Sequence, residues 1–296
     1  MNKKKLIVPS LLVTVLAIYA LVQKPIPELR FPQAGQEVPA IHYDLRAATS
    51  GLAASAKVYR FTSVTVTADT VKLLGAKLTM KGEPKESRDR FVLTDGNKYL
   101  EIEKDSGKTI YMDQAKLFNQ TTPPKVVPDD NQSVVIAQTF TQSLGLLEPG
   151  FVLSGVTSDT VNQGPLSQPA VIGKTVHFYR TVDGVQVNGV SRVMVNIGNN
   201  GEVEGFKKLY KKIELAGEKP LRPIADAFND VKTGKGTTDI SPEAVSAEVT
   251  STNVAYWEDP GTISEQPYLQ PVYVFSGQAL VAGKSVPFVS VVKALK

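Results

Sequence analysis

Two histidines and no cysteine leave this chain few routes to chemistry. His42 lies beside a proline-rich stretch, and His177 takes an alternating, solvent-facing position in an expected strand. No HExxH or other paired spacing brings them to one metal. The absence of cysteine also removes thiolate ligands, disulfides and a lipid-anchor cysteine. Ser154-Gly155 and Ser276-Gly277 stand in strand or turn context without a G-x-S-x-G elbow, whereas a serine nucleophile needs a base held by a third group. The acid pairs Asp129-Asp130, Glu258-Asp259 and Glu101/Glu103 suit general acid and base work on paper. A helix cap, a turn before Pro260 and a solvated strand face account for them more simply. Gly198-Asn199-Asn200-Gly201 is followed by no strand-to-helix turn with Lys and Ser or Thr, so it is no phosphate loop. The expectation is no catalytic residue, no cofactor and no metal.

Binding has better material. Tyr256, Trp257, Tyr268, Tyr273 and Phe275 fall close together among prolines, and Trp257 is the single tryptophan of the chain. Such density suits a contact patch for a protein or peptide. The competing reading is that Tyr273 and Phe275 alternate into a core that Trp257 seals. A second route is an exposed sheet edge that captures an extended peptide.

The elements that must position these residues begin with a meander over Lys174 to Ile213. Val176 and Phe178 alternate with Thr175, His177 and Tyr179; Asp183-Gly184 tolerates the positive φ of a tight turn; Val193, Val195 and Ile197 lead to a second turn at 198–201. A helix is expected to run into this meander from a cap at Asp130 or Asn131, with Ile136, Phe140 and Leu144 as its apolar stripe and Gly145 as a left-handed stop before Leu146. Phe151 to Thr157 is an expected strand. Earlier in the chain the same order holds: a strand at Lys57 to Thr65, a helix capped by Thr67 with Val71, Leu74 and Leu78 on one face, then strands at Arg90 to Leu93, Tyr99 to Glu103 and Thr109 to Met112. Leu78 and Met80 correspond to Leu144 and Leu146 at an offset of 66 residues. A third helix, Pro223 to Val231, precedes strands at Ala247 to Trp257, Pro271 to Phe275 and Pro287 to Val292.

Charge and hydropathy bound the ends. Lys3, Lys4 and Lys5 precede an uncharged run from Leu6 to Val22, and its 17 residues cover roughly 26 Å at about 1.5 Å each, against about 30 Å of hydrocarbon. A retained transmembrane anchor is preferred over a signal peptide cut near Val15-Leu16-Ala17, because the apolar run continues past that site. Either way the lysines keep the N-terminus in the cytoplasm and the rest outside: a single-pass plasma-membrane protein, or a secreted one if cut. Setting aside those lysines and Lys24 leaves 29 basic against 29 acidic residues, so no nucleic acid is expected as partner. Lys207-Lys208 with Lys211-Lys212 is read as a solvated sheet edge in preference to a phosphate patch.

The pattern Phe178-Tyr179-Arg180, Asp183-Gly184-Val185-Gln186-Val187-Asn188-Gly189, Val193-Met194-Val195 and Asn200-Gly201-Glu202-Val203 resembles the PepSY family and the related propeptide domains of thermolysin-type peptidases. A membrane helix followed by two such units is similar to YycI-type extracytoplasmic proteins that restrain a sensor histidine kinase. The segment Tyr256 to Phe275 looks like one that follows PepSY-like units in Gram-positive surface proteins. The resemblance implies an α+β fold: an N-terminal transmembrane helix, then two to three helix-plus-antiparallel-meander units. The expected division is 1–24 anchor, 25–56 proline-rich tether, 57–117 first unit, 130–220 second unit and 221–296 a C-terminal helix and hairpin unit. The expected function is a non-enzymatic, membrane-anchored, extracytoplasmic regulatory or protein-binding module whose partner is a membrane or cell-surface protein, a sensor kinase or an exported peptidase being the classes implied. The alternatives are a propeptide-like inhibitor or chaperone of such a peptidase and, last, a hydrolase with an unrecognised site.

Overall fold

A computed structural model describes residues 26–31, 41–117, 126–161 and 169–296. In chain order the strands are β1 (His42–Leu45), β2 (Ser55–Thr62), β3 (Lys85–Glu86), β4 (Arg90–Asp95), β5 (Lys98–Glu103), β6 (Thr109–Asp113), β7 (Phe151–Val161), β8 (Ala170–Val182), β9 (Val185–Gly189), β10 (Arg192–Ile197), β11 (Val203–Lys208), β12 (Lys212–Pro220), β13 (Thr237–Asp239), β14 (Ala244–Glu258), β15 (Tyr268–Val281) and β16 (Lys284–Lys293). The helices are α1 (Ala68–Lys77), α2 (Gln114–Leu117), α3 (Asp130–Leu144) and α4 (Ile224–Lys232).

Both longer N-terminal helices start on reciprocal caps. Thr67 and Thr70 exchange side-chain and backbone bonds at α1; Asp129 and Gln132 do so at α3, one residue before the cap expected from the sequence. Gly145 ends α3 at φ 64, and Leu146 folds back, its N–H donating to Thr141 O. Ser133, Ala137 and Thr141 are the fully buried row of α3, flanked by the partly buried Ile136, Phe140 and Leu144. Small residues on the contact line let the helix lie close to the sheet, while the larger ones straddle it. At α1 the same closeness falls on Gly75, where a Cβ would overlap Leu93 Cδ2.

These helices share one core with an antiparallel run of strands in the order β3-β4-β5-β6-β11-β10-β8-β7. Leu93, Leu100, Val176, Phe178, Val193, Val195 and Phe206 point into that core, every second residue of their strands. β6 and β11 pair from Thr109–Lys208 to Met112–Gly205, which fuses the two runs into one sheet. Beyond it, β14 and β15 pair over their length, and α4 packs on them through Phe228 and Val231. β14 also takes β1 and β9 as parallel neighbours. β2 links β12 to the first residues of β15.

The architecture corrects the expected fold class. The strands form one large mixed sheet of 16 strands, not a series of helix-plus-meander units behind a transmembrane helix. Pairings between distant segments outweigh the local meanders. Among the described residues no helix is long and apolar enough to cross a membrane; α3, of 15 residues, carries glutamine, serine and threonine throughout. The span expected at residues 6–22 lies outside the described residues, so the single-pass plasma-membrane placement finds no support in the structure and is set aside. The expected tether at 25–56 also changes. His42–Leu45 is a strand, and Ile41, Leu45, Leu52 and Ala56 pack on the core beneath β14 and β15. The described residues from Phe31 to Lys296 form one compact unit.

Candidate functional site

Sheet edges separate into guarded and unguarded ones. β3 has two residues and β13 three, too short to template a partner. β12 carries Lys212, Glu214, Glu218, Lys219 and Pro220, the charged dress of an edge that refuses pairing. β7 differs: its 11 residues contain one charge, Asp159, and no lysine or proline. Among the described residues it pairs with β8 alone. Ser154 bulges out between Leu153 and Gly155, after which Gly155 to Asp159 run in regular register with His177 to Gly173 until a second shift between Asp159 and Thr160.

Apolar side chains stand exposed on that edge. Val152 is 50% and Leu153 44% exposed, on opposite faces because neighbours in a strand alternate. Leu153 pairs with Phe178 on the helix side, and there a groove of about 360 Å³ opens between α3 and β7. Gln138 and Gln142 form its helix wall, Leu153 its strand wall and the buried Phe178 part of its floor; none of its lining residues is charged.

The aromatic residues singled out in the sequence lie elsewhere and mostly inward. Tyr273 and Phe275 belong to the core under α4, and Tyr256 is buried against Tyr59, with ring centroids 5.6 Å apart. Trp257 is half-buried, edge-on to Phe31 at 5.3 Å, and Tyr268 is half-buried where β15 meets β2. Tyr256, Tyr273 and Phe275 are thus buried while Trp257 and Tyr268 are half-buried, and none of the five is fully exposed.

A buried ion cluster joins the parts of the sheet. Arg180 Nη1, from β8, donates to Lys211 O at 2.8 Å and stands 3.8 Å from Glu258 Oε2; the Lys211 N–H donates to Glu258 Oε1 at 2.9 Å. Lys211 Nζ lies 3.5 Å from Asp259 Oδ1 and 4.7 Å from the centre of the Phe61 ring, and Arg180 stacks on Tyr210 at 5.4 Å. Lys108 Nζ, from the turn before β6, donates to Pro260 O at 2.7 Å. Burial pushes the Glu258 carboxyl up, with Lys211, Ser191 and Arg180 pulling against it, and burial pulls the Arg180, Lys208 and Lys211 cations down. Lys211 is thus not on the solvated edge expected for the basic cluster: it is fully buried, as is Glu258. These charges join β8, β14 and the segment before β12.

The histidines and two of the acids singled out in the sequence converge on no common site. His177 Nε2 lies 2.9 Å from Thr157 Oγ1, and burial pulls its pKa down; His42 is exposed on β1. Asp130 pairs with Lys174 at 2.7 Å, and Glu101 with Arg90 at 2.7 Å. Among the described residues no group of three metal-ligating side chains converges.

No family model matches the chain, and no curated protein matches it. Among solved structures it is similar to an uncharacterized protein from Eubacterium rectale, at 8% identity and a TM-score of 0.48, covering 87% of this chain and 89% of that one. It is also similar to the Bacillus megaterium YpeB C-terminal domain, at 13% identity and a TM-score of 0.36, covering 78% of this chain and 99% of that one. At these scores the likenesses carry no argument about activity, and the site rests on its own geometry.

Proposed function

We propose that this chain is a non-catalytic protein-binding module that takes an extended polypeptide segment as an added strand along β7. The observation that carries the reading is the contrast in charge between edges: β12 carries Lys212, Glu214, Glu218, Lys219 and a proline, whereas β7 offers 11 residues with a single charge and with Val152 and Leu153 exposed. A long edge with little charge invites uncontrolled pairing, so a folded chain keeps one where pairing is its purpose. Partners of the classes implied by the sequence resemblance, a sensor kinase or an exported peptidase, present such segments in linkers and loops.

The test is a selection of linear peptides from a displayed random library against the full chain, followed by hydrogen exchange. Bound peptides are expected to slow exchange of amides within 151–161, and Val152→Lys or Leu153→Lys to abolish binding while leaving the circular dichroism unchanged, because both side chains are exposed. Peptides that protect another surface, or that bind both variants as well as the parent, refute the proposal.

A further inference from the structure

The structure also points to what the bound strand must carry, an inference that rests on the β7 reading above. Backbone hydrogen bonds along an edge are nearly sequence-independent, so selectivity has to come from side chains that alternate to either face of the added strand. On the helix-facing side, the position next to Leu153 opens into the groove between α3 and β7. We infer that this groove selects one large, uncharged apolar side chain, of leucine, methionine or phenylalanine type, from an extended segment of another protein.

Size and charge both support that occupant. A groove of about 360 Å³ lies at the small end of ligand-sized sites and holds a side chain rather than a packed helix or a folded domain. Its floor is Phe178, 2% exposed, and its strand wall is Leu153, so an apolar group entering it is covered on two sides. Gln138 and Gln142 supply neutral amides at the rim, and no lining residue offers a counter-charge. A carboxylate or ammonium placed there would lose water without gaining a partner.

The experiment is a position scan of a β7-binding peptide, each residue changed in turn to Leu, Ala, Asp and Lys, with affinity read by fluorescence anisotropy on the full chain. One position is expected to prefer Leu over Ala, Asp and Lys by about 10- to 100-fold, the loss from burying or not burying a large apolar side chain. Gln142→Trp, an exposed helix position, fills the groove and is expected to erase that preference while leaving protection of 151–161 in place. A flat scan, or Asp and Lys tolerated at every position, overturns the pocket while leaving edge binding intact. If no peptide protects β7, both readings fall. If β7 is protected only as protein concentration rises, with doubled mass by light scattering that Val152→Lys reverses, the occupant is a second copy of this chain and the inference is overturned.

Discussion

Replacing Glu258 by alanine and by glutamine separates two contributions that the buried junction combines. Glu258 is fully buried, accepts the Lys211 N–H at 2.9 Å and stands 3.8 Å from Arg180. Alanine removes the acceptor, the charge and the volume together, leaving the buried Lys211 N–H and the Arg180 guanidinium without their carboxylate, which costs about 3–5 kcal/mol. Glutamine keeps the volume and an oxygen for Lys211. It forfeits the charge-assisted part of that bond, about 1 kcal/mol, but it also removes a carboxylate whose burial outweighs its pairing, as the raised pKa records. Glu258→Gln is therefore expected to stay within about 1 kcal/mol of the parent at neutral pH while Glu258→Ala loses several times that. The sign of the pH dependence follows. With the folded pKa above the usual 4.5, the folded state holds a proton that the unfolded chain releases, so this group's contribution falls as pH rises from about 4.5 through the folded value. Lys208 and Lys211, with folded pKa values below 10.5, shed protons first in the folded state and contribute rising stability as pH climbs toward 10.5. Urea midpoints at constant m, taken from pH 4 to pH 10 on the full chain, read both limbs. Glu204, also pushed up by burial, keeps part of the falling limb, so the glutamine variant should show a shallower fall than the parent and keep the rising limb. If glutamine costs as much as alanine at pH 7, the ionised carboxylate is holding the junction and the weight given to desolvation is wrong.

Two other substitutions probe what positions the edge and the junction. Gly189→Ala places a Cβ over the Glu258 carbonyl at a backbone φ of 89, so the parallel pairing of β9 with β14 is expected to weaken by at least about 2 kcal/mol, seen as a lowered urea midpoint. Asp129→Ala breaks the reciprocal cap of α3 and is expected to cost about 1 kcal/mol, with a thermal midpoint lower by about 2–4 °C; no change would show that water caps the helix as well.

The sequence showed what is local and hid what is distant. The caps at Thr67 and near Asp129, the left-handed Gly145 and the turn at Asp183-Gly184, at φ 53 and 76, are decided within a few residues and were legible. So was the meander, because its alternation of Val193, Val195 and Ile197 needs no partner to be seen. The parallel pairing of His42 to Leu45 with Ser246 to Val249 joins segments some 200 residues apart, and no periodicity announces it. Lys211 reads as a surface lysine because a charge in a basic run ordinarily is one; only the convergence of β8, β14 and the segment before β12 buries it. The aromatic segment was ambiguous for the same reason, since density of aromatics marks cores and contact surfaces alike. Of the candidate site, the strand Phe151 to Thr157 was legible, but its place at the rim of the sheet was not. An edge strand and an inner strand share one alternation, and the difference lies in the neighbour each lacks.

That difference also weighs on how the edge is to be understood. The first three residues of β7 pair in register with Arg180, Tyr179 and Phe178, whose chain continues into the ion cluster and the core, so this part of the edge is anchored by the most deeply buried part of the molecule. Arg180 stacks within 5.9 Å of Phe151, tying the start of β7 to the junction. An edge strand held this way has little of its own backbone left to order when another strand is added to it, and ordering is a cost that limits the affinity of extended segments. The bulge at Ser154 adds one residue between that anchored start and the regular run from Gly155 to Asp159, leaving Leu153 beside the groove and Val152 on the open face. A sheet edge meant only to terminate pairing gains nothing from such rigidity. β12, ending the same sheet, instead spends its side chains on charge, with Glu214 paired to Arg60 and Glu218 to Ser55 across to β2.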